Sequence, residues 1–173
     1  MKEIVDVNTG EVEIRRVKFI LRAMAIGSCI VVAAFDPKTQ IAGMAHIMLP
    51  GCAPEKTAEK TKYAADGIEQ MLTQMFESGC RIENTEVCLI GGGNVLQKED
   101  DTICADNIKS VTEVLEEKLI PVKASLIGGY KRKSAFLDAE TGNVSYSEGD
   151  DQEKWLWRSQ CTVAVKQLLK GRL

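Results

Sequence analysis

Histidine is almost missing from this chain of 173 residues: there is one, His46. The six cysteines (Cys29, Cys52, Cys80, Cys88, Cys104, Cys161) form no C-x-x-C pair, and a single imidazole cannot complete the usual ligand sets. A zinc knuckle and a redox dithiol are therefore excluded, and no metal is expected. No stretch approaches the roughly 20 consecutive apolar residues that a membrane-spanning helix needs. The opening MKEIVDVNTG also lacks the basic-then-apolar order of a secretory signal, so a cytoplasmic protein without membrane insertion is expected. The 22 basic residues are outnumbered by 25 acidic ones and are nowhere dense enough to track phosphates, which argues against a nucleic-acid partner. Internal repeats and low-complexity linkers are absent too. What remains is 45% hydrophobic and 27% charged, enough for one self-sufficient core, and a single domain over residues 1–173 is expected.

The apolar pattern changes period along the chain. NTGEVEI near the start and ETGNVSY near the end carry the same turn chemistry, and both predict hairpins. Residues 11–22 partly alternate, and the apolar runs 30–35 and 41–49 are separated by DPKTQ, a further hairpin. From Glu59 to Ser78 the residues Ala64, Ile68, Met71, Leu72 and Met75 recur at helical steps, with Gly79 placed to end the helix. A short buried strand at 87–90 runs into Gly91-Gly92-Gly93, followed by a second amphipathic helix carrying Ile108, Val111 and Leu115. Ile120–Ile127 is another strand, Ser134–Leu137 and Asn143–Tyr146 flank the ETG turn, and Trp155–Leu169 reads as a closing helix. Strands joined both by hairpins and by helices predict an α/β fold in which a mixed sheet is layered with helices.

Chemistry concentrates in one hairpin. If DPKT closes tightly, so that Asp36 faces Thr39, then Cys29 faces His46, with Cβ atoms about 5 Å apart on one face of the sheet. A slip of two residues leaves them diagonal neighbours on that face; a slip of one separates them. The pairing matters because a thiol becomes a strong nucleophile only when a base takes its proton. Gly27 and Ser28 form a turn just before Cys29, where exposed N–H groups are candidates to bind substrate oxygen. The alternative is a buried thiol beside a structurally satisfied imidazole. Gly91-Gly92-Gly93-Asn94 fits no nucleotide-binding fingerprint and reads as a tight turn. Lys131, Arg132 and Lys133 read as a solvated cluster that can meet an acidic partner, and Cys52, Cys80, Cys88, Cys104 and Cys161 as idle packing thiols.

A-I-G-S-C-I (25–30), F-D-P (35–37), G-M-A-H-I-M-L-P (43–50) and K-Y-A (62–64) together resemble the CheD family of chemoreceptor glutamine deamidases. The resemblance continues through I-G-G-G-N (90–94), Asn107 ahead of an amphipathic helix, G-G-x-x-R (128–132) and D-x-x-T-G (138–142). It implies an α/β sandwich, shared with the deamidase domain of cytotoxic necrotizing toxins, and the hydrolysis of glutamine side chains on methyl-accepting chemotaxis receptors without a cofactor. It also implies that Cys29 is the nucleophile and His46 its base, with the glycine turn at 91–93 bordering the site. A CheC-type phosphatase is a further partner that the resemblance brings.

One position departs from the family pattern. Where the family usually carries a threonine that orients the imidazole, this chain has Ala23, and the following Met24 offers no hydroxyl either. Loss of an orienting group costs rate while sparing the fold. Two expectations follow: an active deamidase in which another group, a main-chain carbonyl among the candidates, orients His46; or a catalytically weak binding module that regulates a CheC-type phosphatase or a receptor.

Overall fold

The computed structural model describes residues 1–160. The strands and α-helices among them are β1 (Glu3–Asp6), β2 (Val12–Arg15), β3 (Phe19–Ile26), β4 (Ile30–Asp36), β5 (Ile41–Ile47), α1 (Ala64–Glu77), β6 (Glu86–Gly91), α2 (Ile103–Glu117), β7 (Val122–Ile127), β8 (Lys133–Asp138), β9 (Val144–Glu148) and β10 (Lys154–Trp157). They make two five-stranded sheets, in the orders β1-β3-β8-β9-β10 and β2-β5-β4-β6-β7. Each sheet is mixed, with β1 parallel to β3 in the first and β6 parallel to β7 in the second. The expected mixed sheet is thus present twice, as an α/β sandwich.

The β4-containing sheet is the middle layer. Ile30, Val32 and Ala34 pack with Ile68 and Met71 of α1 and with Val111 and Leu115 of α2. On the opposite face Val31, Ala33 and Phe35 pack with Leu21, Ala135 and Leu137 of the other sheet. Burial on both faces explains why IVVAAF shows no polar alternation. The helix residues expected to face inward, Ala64, Ile68, Met71, Leu72 and Met75, are all buried, and Gly79 ends that turn at φ +105°. The α-helix begins later than Glu59, because Lys60–Lys62 form a short 3-10 turn whose Lys62 carbonyl accepts the N–H groups of Met48 and Leu49.

Several expectations are corrected. The NTG segment is not a hairpin turn: β1 pairs with β3 and β2 with β5, so Asn8–Gly10 crosses between the two sheets. The stretch 11–22 breaks at Lys18 (φ +76°), where β2 gives way to β3. Of the predicted closing helix, Trp155–Trp157 lies in strand β10, paired with β9, and residues 161–169 fall outside the described residues, as does Cys161. Lys133 is not part of a solvated cluster. It is 2% exposed, and its ammonium donates to the carbonyl of Gly128 at 2.5 Å.

The DPKTQ hairpin exists with a longer loop than expected. Asp36 pairs with Ile41, because the Asp36 carboxylate accepts the N–H of Lys38 (2.8 Å) and of Thr39 (3.3 Å) and Gln40 takes φ +53°. This side-chain turn adds two residues to the loop and shifts the register by two. Val31, rather than Cys29, stands opposite His46.

Candidate active site

Strand β3 ends irregularly. Its pairing with β8 shifts between Ala23 and Ile26, and Ala25 sits at φ +54°, a strained conformation for alanine. The chain then bends through Gly27 and Ser28, and Cys29 is the last residue before β4. Since Ile30 pairs with Ile47, the ladder carried one step further sets Cys29 level with Met48, and His46 becomes its diagonal neighbour. Both side chains share the sheet-facing side of the middle layer, where Cys29 packs against the Val31 and Ile90 cluster. Diagonal neighbours have Cβ atoms about 7–8 Å apart or less, within reach of an imidazole and a thiol.

His46 is 4% exposed, and its Nδ1 lies 2.9 Å from the carbonyl oxygen of Val7. A carbonyl can only accept, so Nδ1 holds the hydrogen and Nε2 is left as the bare acceptor of a neutral ring. This main-chain bond supplies the orientation that Ala23, buried between the sheets with no polar atom, cannot give. The crossover that carries Val7 is itself fastened: Val7 N–H donates to Arg22 O at 2.7 Å, Gly10 N–H to His46 O at 2.8 Å, and His46 N–H to Glu11 O at 3.0 Å. The same failure of NTG to form a hairpin therefore brings Val7 to the imidazole.

Burial dominates the protonation of both groups. It lowers the pKa of His46, although the Val7 bond and the nearby Glu11 charge oppose that shift. It raises the pKa of Cys29, against hydrogen bonds to the thiol from the Thr9 side chain and from the backbone of Cys29 itself. Both shifts favour the uncharged form, of the thiol and of the imidazole. A neutral imidazole with a bare Nε2 can accept the proton of a thiol during a nucleophilic attack.

Access is shallow. Val7, Thr9, Met24 and His46 line a depression of about 470 Å³, and Gly27, Ser28, Asn94, Leu96 and Cys104 line another of about 360 Å³. Of the four residues singled out from the sequence, His46 lines the first depression, Gly27 and Ser28 line the second, and Cys29, which lines neither of these two, follows Ser28 in the chain and is the diagonal neighbour of His46 across the hairpin. The Gly91–Gly93 turn does border them, since Gly92 N–H donates to Cys29 O at 2.7 Å and Gly93 N–H to Gly27 O at 2.8 Å. Among the remaining thiols, Cys80, Cys88 and Cys104 are buried and Cys52 is exposed. Among the described residues, no group of three His, Cys, Asp or Glu side chains is placed to hold a metal ion. No helix among them is long and apolar enough to cross a membrane.

Sequence reasoning missed two contributors. Val7 acts through its backbone, which has no residue signature. Thr9 lies in a turn that reads as an ordinary hairpin. Asn107, expected just ahead of a helix, lies inside α2 and is wholly buried.

Comparison with known proteins finds relatives that cover most of the chain. Residues 48–148 match the family model "CheD chemotactic sensory transduction"; the matched stretch contains Asn107 and begins just after His46. A probable chemoreceptor glutamine deamidase CheD of Chlorobium luteolum is 37% identical over 150 residues, covering 86% of this chain and 75% of that protein. The corresponding protein of Haloarcula marismortui is 32% identical over 82% of this chain and 83% of its own length. The chemoreceptor glutamine deamidase CheD of Thermotoga maritima is 27% identical over 83% of this chain and 90% of its own.

Proposed function

The chain belongs to the CheD family, and from that premise we propose that it hydrolyses the side-chain amides of particular glutamines on chemoreceptors, with Cys29 as nucleophile and His46 as base. The observation that carries the assignment of roles is the Val7–His46 bond, which leaves Nε2 free on the same sheet face as the thiol. As the Cys29 sulfur bonds to the amide carbon, Nε2 takes its proton and the carbonyl oxygen becomes an oxyanion. Return of that proton to the amide nitrogen lets ammonia leave and a thioester remain. Water then attacks the thioester, giving its proton to Nε2; the carbon–sulfur bond breaks, Nε2 returns the proton to the sulfur, and glutamate is released. No cofactor enters these steps. The backbone N–H groups of Ser28 and Cys29 are the groups that would meet the oxyanion.

The rival reading, a binding module that regulates a CheC-type phosphatase, rests on Ala23 alone. The Val7 carbonyl supports the enzyme instead, because the orienting function no longer needs a side chain. Incubating a receptor cytoplasmic domain with the protein is expected to add about 1 Da per site as amide becomes acid, and the gain should vanish with Cys29→Ala and with His46→Ala. A folded wild-type protein that leaves its own organism's receptor unchanged would favour the binding module.

A further inference from the structure

Three consecutive carbonyls at the nucleophile turn are held from outside it. Gly27 O and Cys29 O accept from Gly93 and Gly92 of the neighbouring turn, as described. Ser28 O, between them, accepts from a side chain: Asn107 Nδ2 donates to it at 2.9 Å and to Met48 O at 3.0 Å. Both partners are carbonyl oxygens, so the amide orientation is fixed by chemistry, since only the NH₂ end can donate. The position is specific too. The β4–β5 ladder ends at Ile30 and Ile47, and Asn107 ties together the two strand continuations where the backbone stops pairing.

We propose that Asn107 is a positioning residue for the oxyanion: by fastening Ser28 O toward α2 it turns the Cys29 N–H the opposite way, toward the carbonyl that Cys29 attacks. The geometry follows from the peptide plane. In a trans peptide the C=O of one residue and the N–H of the next point in opposite directions, and no peptide bond among the described residues is cis. The helix layer lies on one face of the middle sheet and Cys29 packs toward the other, so the N–H is directed to the thiol side.

The fastening is also costly. Asn107 is fully buried, and its Oδ1 is the one buried side-chain polar atom without a hydrogen-bond partner among the described residues.

The inference rests on Cys29 as nucleophile but not on the identity of the amide, and its test avoids the receptor. Acylation of Cys29 by p-nitrophenyl acetate builds an oxyanion, whereas alkylation by iodoacetamide does not. Both rates are measured on the full chain with Cys29→Ala as background. Asn107→Ala is expected to slow acylation about tenfold or more, against the 10²–10³ cost of deleting an oxyanion donor outright, while alkylation stays within about twofold. Asn107→Ser, which keeps one donor, should fall between, and its ratio of rates decides the matter if the alanine variant does not fold. An unchanged ratio in the folded variants overturns the proposal, as does a wild-type Cys29 that is alkylated and never acylated. The receptor mass shift reports separately on the deamidase reading.

Discussion

At His46 and Cys29 the same burial acts on two groups of opposite charge type, and so separates their titrations. The imidazole must be neutral to accept a proton, and its pKa is lowered from 6.5, so the acid limb of kcat/KM should inflect below pH 6.5. The thiol is raised from 9.0, so alkylation of Cys29 should keep climbing above pH 9 instead of levelling near neutrality. Rates measured against pH on wild type and His46→Ala check both. A plateau of alkylation by pH 7 would mean that a thiolate–imidazolium pair already exists at rest. This differs from the expectation drawn from spacing alone, where a neighbouring imidazole suggests a thiolate. Spacing reports proximity, while the protonation state depends on how much water the fold leaves around the pair.

Among the elements, the Gly27–Cys29 turn depends on the end of β6. Gly91 has φ +130°, and a Cβ built there lies 2.1 Å from Cys29 O and 2.8 Å from Ile26 Cγ2. No flexible side chain yields to relieve the first contact, because it is backbone. Gly91→Ala should therefore lower stability by about 1–3 kcal/mol, as strained backbone positions do, and should reduce deamidation more than that loss explains. Urea unfolding beside the receptor assay separates the two effects, and an alanine variant of full activity would show that the turn tolerates displacement. The β4–β5 hairpin shows the same dependence on detail. Asp36 organises its loop, accepts a third bond from Arg81 N–H at 3.1 Å, and so sets the register that makes Cys29 and His46 diagonal neighbours.

Over the whole molecule, buried titratable groups set a window of stability. His46 has a lowered pKa, so the folded protein binds fewer protons than the unfolded chain just below pH 6.5; this contribution is complete above that pH and is lost as pH falls. Cys29, Cys80 and Cys104 are raised from 9.0 and Cys88 is pushed up to about 12, so their contribution is complete below pH 9 and is lost as pH rises. Thermal unfolding should show its highest midpoint between about pH 6.5 and 9. His46→Phe should flatten the acid side of the curve, and an acid side unchanged by that substitution would assign the loss to carboxylates instead.

Local pattern was enough for much of this. The steps of Ala64, Ile68, Met71, Leu72 and Met75 marked α1 and its buried face, and the unbroken run at 30–35 marked a strand of the hairpin, because both signals depend only on the pattern of side chains along one element. The G-S-C and M-A-H segments marked Cys29 and His46 for a related reason: a two-residue slip preserves the face of a strand, so the pairing survived an incorrect loop length. Tertiary structure alone decided the rest. That Asn8–Gly10 passes between sheets, bringing the Val7 carbonyl to His46, depends on which strands β1 and β2 join, and those partners are distant in sequence. Asn107 reaches Ser28 and Met48 only because α2 packs on the middle sheet. Backbone atoms have no residue identity to read, and long-range contacts leave no local period.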